Sequence, residues 1–191
     1  MQQETEIKFR VKDERGLNRK LRAAGFRIIT PRTHEMNTLY DLPGEALRKR
    51  HELLRIRKYG SAWTLTHKSG TRRGRHSSRV ELETVVSDGR KMDAILRALG
   101  YFPSFRYEKF RAEWGEKRKH GGKNHVVVDE TPIGNFCEIE GPPRWIDATA
   151  KKLGVNAADY ITKNYATLFA EWKRETRSRA EEMTFKAIGK R

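Results

Sequence analysis

Charged and apolar residues alternate at every second position in one segment after another of this chain. That period limits what it can become. In an extended strand, residues i, i+2 and i+4 share one face, so an alternating run offers one face to a core and the other to charge. The run 4–11 puts Glu4, Glu6, Lys8 and Arg10 on one face and Thr5, Ile7, Phe9 and Val11 on the other. Similar runs follow at 53–59, 62–68, 79–86, 104–114, 124–129 and 134–140, with a longer, turn-rich one at 26–40. These make about eight strands, mostly in hairpin succession, which predicts an antiparallel sheet.

Helical patterns interrupt the strands. Residues 13–24 place Leu17, Leu21 and Ala24 on one side and stop at Gly25. Residues 88–99 repeat the plan with Met92, Ile95, Leu96 and Leu99 before Gly100. A third helix is predicted over 145–153 and a long terminal one over 157–186, broken near Ser178. The segment 69–74, with two glycines among its arginines, reads as a flexible rim loop. The fold class is therefore α+β, dominated by an antiparallel sheet.

The charges within the strands cluster by sign. Arg55 and Arg57 share a face, as do Glu81 and Glu83, Lys109 and Arg111, and Glu138 and Glu140. A sheet packed on one side with charge toward water would explain any one strand. It does not require ExE and RxR clusters, and the helices must also bury their apolar stripes somewhere. If eight strands close into a barrel, the helices cover its outside and the charges line its inside. Carboxylates beside Lys and Arg in one cavity suit a hard divalent cation together with phosphate oxygens.

These residues resemble, in order, the signatures of the CYTH superfamily, the triphosphate tunnel metalloenzymes. Glu4-x-Glu6-x-Lys8 is similar to its ExExK, and Leu54-Arg55-Ile56-Arg57 to its LRxR. Thr64-Leu65-Thr66-His67-Lys68 is similar to TLxxK, and Arg79-Val80-Glu81-Leu82-Glu83 to RxExE. Lys109-Phe110-Arg111 matches KxR, and Asp129 with the strand 134–140 matches the late Asp and GxFxEIE. Tyr160 and Tyr165 sit where the family has a tyrosine-bearing helix.

The resemblance implies an eight-stranded antiparallel tunnel with helices packed outside. It implies Mg²⁺ or Mn²⁺ held by Glu4, Glu6, Glu138 and Glu140, with Asp129 binding metal or orienting a base. Lys8, Arg55, Arg57, Lys68, Arg79, Lys109 and Arg111 would bind the triphosphate. Glu81 and Glu83 would serve a second metal or position water, and Lys163 would activate the nucleophile. The pattern leans toward class IV adenylyl cyclases, which convert ATP to cyclic AMP and pyrophosphate. The alternative is a triphosphatase acting on inorganic triphosphate, thiamine triphosphate or a nucleoside triphosphate. The expected layout is a tunnel domain over 1–170 and a helical extension over 171–191, which leaves a homodimer open.

Composition narrows the partners. Lys and Arg total 41 against 25 Asp and Glu, a formal charge of +16. The excess peaks in residues 41–80, where 11 bases face 3 acids among folded-looking apolar positions. The Arg48–Lys49–Arg50 and Arg72–Arg73–x–Arg75 clusters fit a nucleic-acid backbone, but the ExE pairs would repel one, so nucleic acid is not the expected partner. No apolar run reaches the roughly 18 residues of a membrane helix, and the first residues lack signal-peptide features. With Cys137 as the only cysteine, a reducing cytoplasm is expected. The six histidines have no zinc spacing, and no Walker loop is present.

Overall fold

The computed structural model of the chain describes residues 2–116 and 124–189. Its frame is a closed barrel of eight antiparallel strands in the order β1-β5-β4-β3-β2-β6-β7-β8. The strands are β1 Gln2–Val11, β2 Phe26–Asp41, β3 Leu53–Tyr59, β4 Ala62–Arg73, β5 Ser77–Val86, β6 Phe102–Glu116, β7 His125–Thr131 and β8 Gly134–Glu140. β1 closes the ring, pairing with β5 through Glu4↔Arg79 and with β8 through Lys8↔Glu138. The helices lie outside: α1 Glu14–Ala23, α2 Ala46–Lys49, α3 Gly89–Ala98, α4 Pro143–Leu153, α5 Tyr165–Thr176 and α6 Phe185–Ile188.

The alternation explains where the core sits. Ile7 and Phe9 of β1, Val126 and Val128 of β7 and Cys137 and Ile139 of β8 point outward. They pack beneath Leu17 and Leu21 of α1 and Ile146, Ala150 and Leu153 of α4. A smaller cluster of Tyr40, Ile56 and Leu96 seats α3 on β2 and β3. Asp13 and Asp88 cap α1 and α3 by accepting from backbone amides of the first turn, as their place before the apolar stripes predicts. Cys137 is fully buried under these helices, and burial pushes its thiol well above the usual range, which suits a packing role.

Three expectations are corrected, and one element is new. The rim loop at 69–74 is mostly strand: β4 runs on to Arg73, with a register slip between Ser69 and Arg72. Gly70 takes φ +61° there, so the strand bulges rather than ending. The third helix starts at Pro143, because proline suits a first helical position. The single turn α2 had no pattern in the sequence. It is held by Asp41, whose carboxylate accepts from the amides of Leu42, Leu47 and Arg48.

The third correction concerns 157–186, which is not one helix. A single 3-10 turn at Ala157–Asp159 is boxed by Asn156 and Asp159. The chain then extends, and Ile161 exchanges two main-chain hydrogen bonds with Lys8. Asn164 caps α5, Arg177 ends it in the left-handed conformation, and Met183 exchanges two main-chain bonds with Arg106 and Glu108. Asparagine caps and an extended residue with partners elsewhere outweigh helical propensity.

Between those two ties, α5 lies across one end of the barrel. Tyr165, Leu168, Phe169 and the fully buried Met183 pack against Phe105, Tyr107, Phe136 and Leu39, side chains that alternate with the outward-facing residues of their strands. This end is plugged by aromatic packing.

Candidate active site

The inward side chains of the barrel line a cavity of about 600 Å³. Its wall includes seven bases and seven acids. The bases are Lys8, Arg55, Arg57, Lys68, Arg79, Lys109 and Arg111, and the acids are Glu4, Glu6, Glu81, Glu83, Glu113, Glu138 and Glu140. The formal charges of these lining side chains therefore cancel.

At the plugged end, a ladder of pairs ties every base. Lys8 bonds Glu138 at 2.6 Å, and Arg111 bridges Glu138 and Asp129. Lys109 donates to Asp129 at 2.9 Å, and the Tyr165 hydroxyl donates to the same carboxylate at 2.7 Å. Lys8 and Lys109 also stand 4.7 and 4.9 Å from the Tyr165 ring. Burial opposes charge on Glu138, but Lys8, Arg111 and Lys109 hold its carboxyl well below the usual range. The desolvated Lys8 is in turn held above its usual value by Glu138 and Glu6.

Toward the other end the pairs loosen. Lys68 bonds Glu4 and stands 3.4 Å from Glu81, while Arg79 is 3.5 Å from Glu6. Arg57 grips Glu83 with two bonds, and Thr66 donates to the same carboxylate at 2.6 Å. Glu140 meets His125 at 3.2 Å. Burial together with the charges of Glu4 and Glu6 pushes the Glu140 carboxyl up to about 8.

Thirteen of the fifteen site residues read from the sequence line this one cavity. Asp129 is inward but fully buried behind Lys109 and Arg111, so it orients bases rather than facing the cavity. Lys163 is half exposed and paired with Glu171 at 2.7 Å, and it does not line the cavity. The extended turn before α5 points it along the helix instead of into the barrel. Arg10, on the charged face of β1, is exposed and stands 5.0 Å from the Phe136 ring.

The sequence reading missed Glu113 and Glu35. Glu113 continues the Lys109, Arg111 period by one more step and accepts a hydrogen bond from Thr30 at 2.8 Å. Glu35 shares its face with Asn37 in a strand whose opposite face is only weakly apolar. A stricter count at period two would have found both.

The CYTH domain model matches residues 2–165. The chain belongs to the CYTH family. Solved structures agree on the fold. A Vibrio parahaemolyticus protein assigned provisionally to the adenylate cyclases superposes with a TM-score of 0.76 at 18% identity, covering 88% of this chain and 98% of that one. The PH1819 protein of Pyrococcus horikoshii gives 0.70 at 24% identity, covering 88% and 98%. The Hippeastrum protein HpAC1, described as having a dominant triphosphatase activity, gives 0.63 at 20% identity, covering 88% and 95%. No protein of curated function matches the sequence. Among the described residues, no helix is long and apolar enough to cross a membrane.

The donor chemistry of the CYTH tunnel suits a hard divalent cation. Burial, and then the charges of Glu4 and Glu6, raise the Glu140 carboxyl to about 8, and a cation among the three would relieve that repulsion. Among the described residues, no three such groups already enclose an ion, because Lys68 and Arg79 lie against Glu4 and Glu6.

Proposed function

We propose that this CYTH protein hydrolyses a triphosphate with the help of Mg²⁺ or Mn²⁺. The observation that carries this is the wall itself: seven cations and seven carboxylates face one another around a space of about 600 Å³. A compact polyanion with its cation fits such a wall. Lys8, Lys109 and Arg111 hold phosphate oxygens at the plugged end, and Arg55, Arg57, Lys68 and Arg79 hold those nearer the mouth. A divalent ion at Glu4, Glu6 and Glu140 would neutralise charge on the phosphates.

Water attacks the terminal phosphorus, the bond to the bridging oxygen breaks, and orthophosphate and pyrophosphate result from inorganic triphosphate. The bases stabilise the negative charge that grows on the leaving oxygen. Hydrolysis asks nothing of the wall beyond phosphate and water. Cyclisation also requires the nucleoside to be held so that its 3′-hydroxyl reaches the α-phosphorus. Of the apolar lining, Leu39, Tyr107 and Tyr165 are already committed to the plug cluster. The Hippeastrum neighbour's triphosphatase activity points the same way.

Adenylyl cyclase activity is the second reading. It is favoured by a cavity larger than a bare triphosphate requires. The test offers ATP and inorganic triphosphate separately, with Mg²⁺, with Mn²⁺ and with a chelator, and identifies the products. Orthophosphate from triphosphate, lost with the chelator, is the expected result. Cyclic AMP from ATP decides for the second reading, and turnover of neither substrate removes both.

A further inference from the structure

Two inner-wall carboxylates, Asp129 and Glu35, are fully buried and do not face the cavity. They are held differently. Asp129 accepts short hydrogen bonds from Lys109, Arg111 and Tyr165. Glu35 accepts one, from Asn37 Nδ2 to its Oε1 at 2.9 Å. Its Oε2 has no hydrogen-bond partner among the described residues. The nearest cations, Lys109 Nζ and Arg111 Nε, stand 3.5 and 3.9 Å away, too far for tight charged hydrogen bonds.

Glu35 is nevertheless ionised. Against the cost of its burial, the charges of Lys109, Arg111, Arg55 and Arg57 hold its carboxyl at about 2. A buried carboxylate with a bare oxygen is costly to keep if its only task is to fill space. Glutamine would fill the same space without the charge. What the carboxylate adds is a negative field behind bases that the proposed reaction uses to grip phosphate.

We propose that Glu35 is a positioning residue that acts through Lys109 and Arg111 as a counter-charge, weakening their hold on phosphate so that product can leave. This rests on the triphosphate reading above. The field of one charge at such distances inside a protein is enough to change anion affinity by about tenfold. Its sign is fixed: the wall with Glu35 binds polyphosphate less tightly than the wall without it.

The test is calorimetric titration of inorganic pyrophosphate, with chelator present, into the full chain and its Glu35→Gln and Glu35→Asp variants. Glu35→Gln is expected to bind about tenfold more tightly, with a steeper loss of affinity on adding salt. Glu35→Asp keeps the charge and is expected to stay close to wild type. A space-filling role predicts instead that both variants bind equally or more weakly, and that result overturns the proposal. In turnover, the counter-charge predicts a lower kcat together with a lower KM for Glu35→Gln, and an unchanged KM counts against it. If circular dichroism shows Glu35→Gln unfolded, Glu35→Met removes the same charge without adding a polar group of its own. That variant is expected to bind pyrophosphate about tenfold more tightly, and unchanged or weaker binding overturns the proposal. Wild type that binds neither pyrophosphate nor inorganic triphosphate removes the triphosphate reading and this proposal with it. Wild type that binds both, with Glu35→Gln unchanged, removes the counter-charge alone.

Discussion

The two ends of the tunnel are built from the same residue types and behave differently. At the plugged end, Lys8, Lys109 and Arg111 are matched by Glu138 and Asp129 at hydrogen-bond distance, and water is nearly excluded. Toward the mouth, carboxylates outnumber the bases that reach them, and Glu140 keeps a proton up to about pH 8. The plugged end is organised before any ligand arrives. The mouth is left with carboxylates that no base fully matches. Tight pairing and crowded carboxylates thus fall at opposite ends of one cavity.

The largest effect is expected from breaking the plugged end. Asp129→Ala leaves Lys109, Arg111 and Tyr165 without their shared acceptor, and removing one partner of a buried pair costs about 3–5 kcal/mol. The melting temperature should fall by roughly ten degrees, together with triphosphate binding. A fall of less than two degrees would show that the ladder is not what holds this end.

Glu6→Gln strikes the mouth instead. It removes a partly exposed partner of Arg79 at 3.5 Å, so the melting temperature should move by less than about 1 kcal/mol of stability implies. Turnover with Mg²⁺ should nonetheless fall by about a hundredfold, read from orthophosphate release. Equal loss of stability from Glu6→Gln and Asp129→Ala would erase the contrast.

The contrast also has a pH signature. Glu35 is depressed to about 2, so its contribution is present above its ordinary value near 4.5 and is lost as pH falls toward 2. Glu140 is raised, so its contribution is complete below 4.5 and is lost as pH rises through about 8. Metal-free protein should therefore be most stable in mildly acid solution. Glu140→Gln should flatten the alkaline side of a melting-temperature profile and leave the acid side alone. The smallest effect belongs to Lys163→Ala, which lies outside both ends and should leave turnover within about twofold, with the surface pair to Glu171 contributing little. A tenfold loss would bring Lys163 back as the nucleophile's activator.

Much of the barrel was legible because period two is self-checking. In β1, Glu6 and Lys8 face in only if Ile7 and Phe9 face out, and the helices needed those apolar positions. The same logic placed Arg55, Arg57, Glu81, Glu83, Lys109 and Arg111. It weakened in β2, where Glu35 alternates with His34 and Met36, and neither neighbour demands a core. It failed after residue 157, where Ile161 and Met183 are set by main-chain bonds to strands more than seventy residues away or more. Lys163 lies outside the cavity for the same reason: its direction depends on an extended turn that helical spacing cannot anticipate. The net charge excess said less than the ExE pairs beside the bases, because the lining side chains are formally balanced.

The ties at Ile161 and Met183 use only backbone atoms, and between them the side chains of α5 pack into its end of the barrel. A tunnel so stoppered is a cul-de-sac. Under the proposed reaction, whatever goes in phosphate-first would come out by the same door, and the piece nearest the door would leave before the piece behind it. Order of release is then a matter of queueing, decided by the shape of the barrel before any chemistry begins.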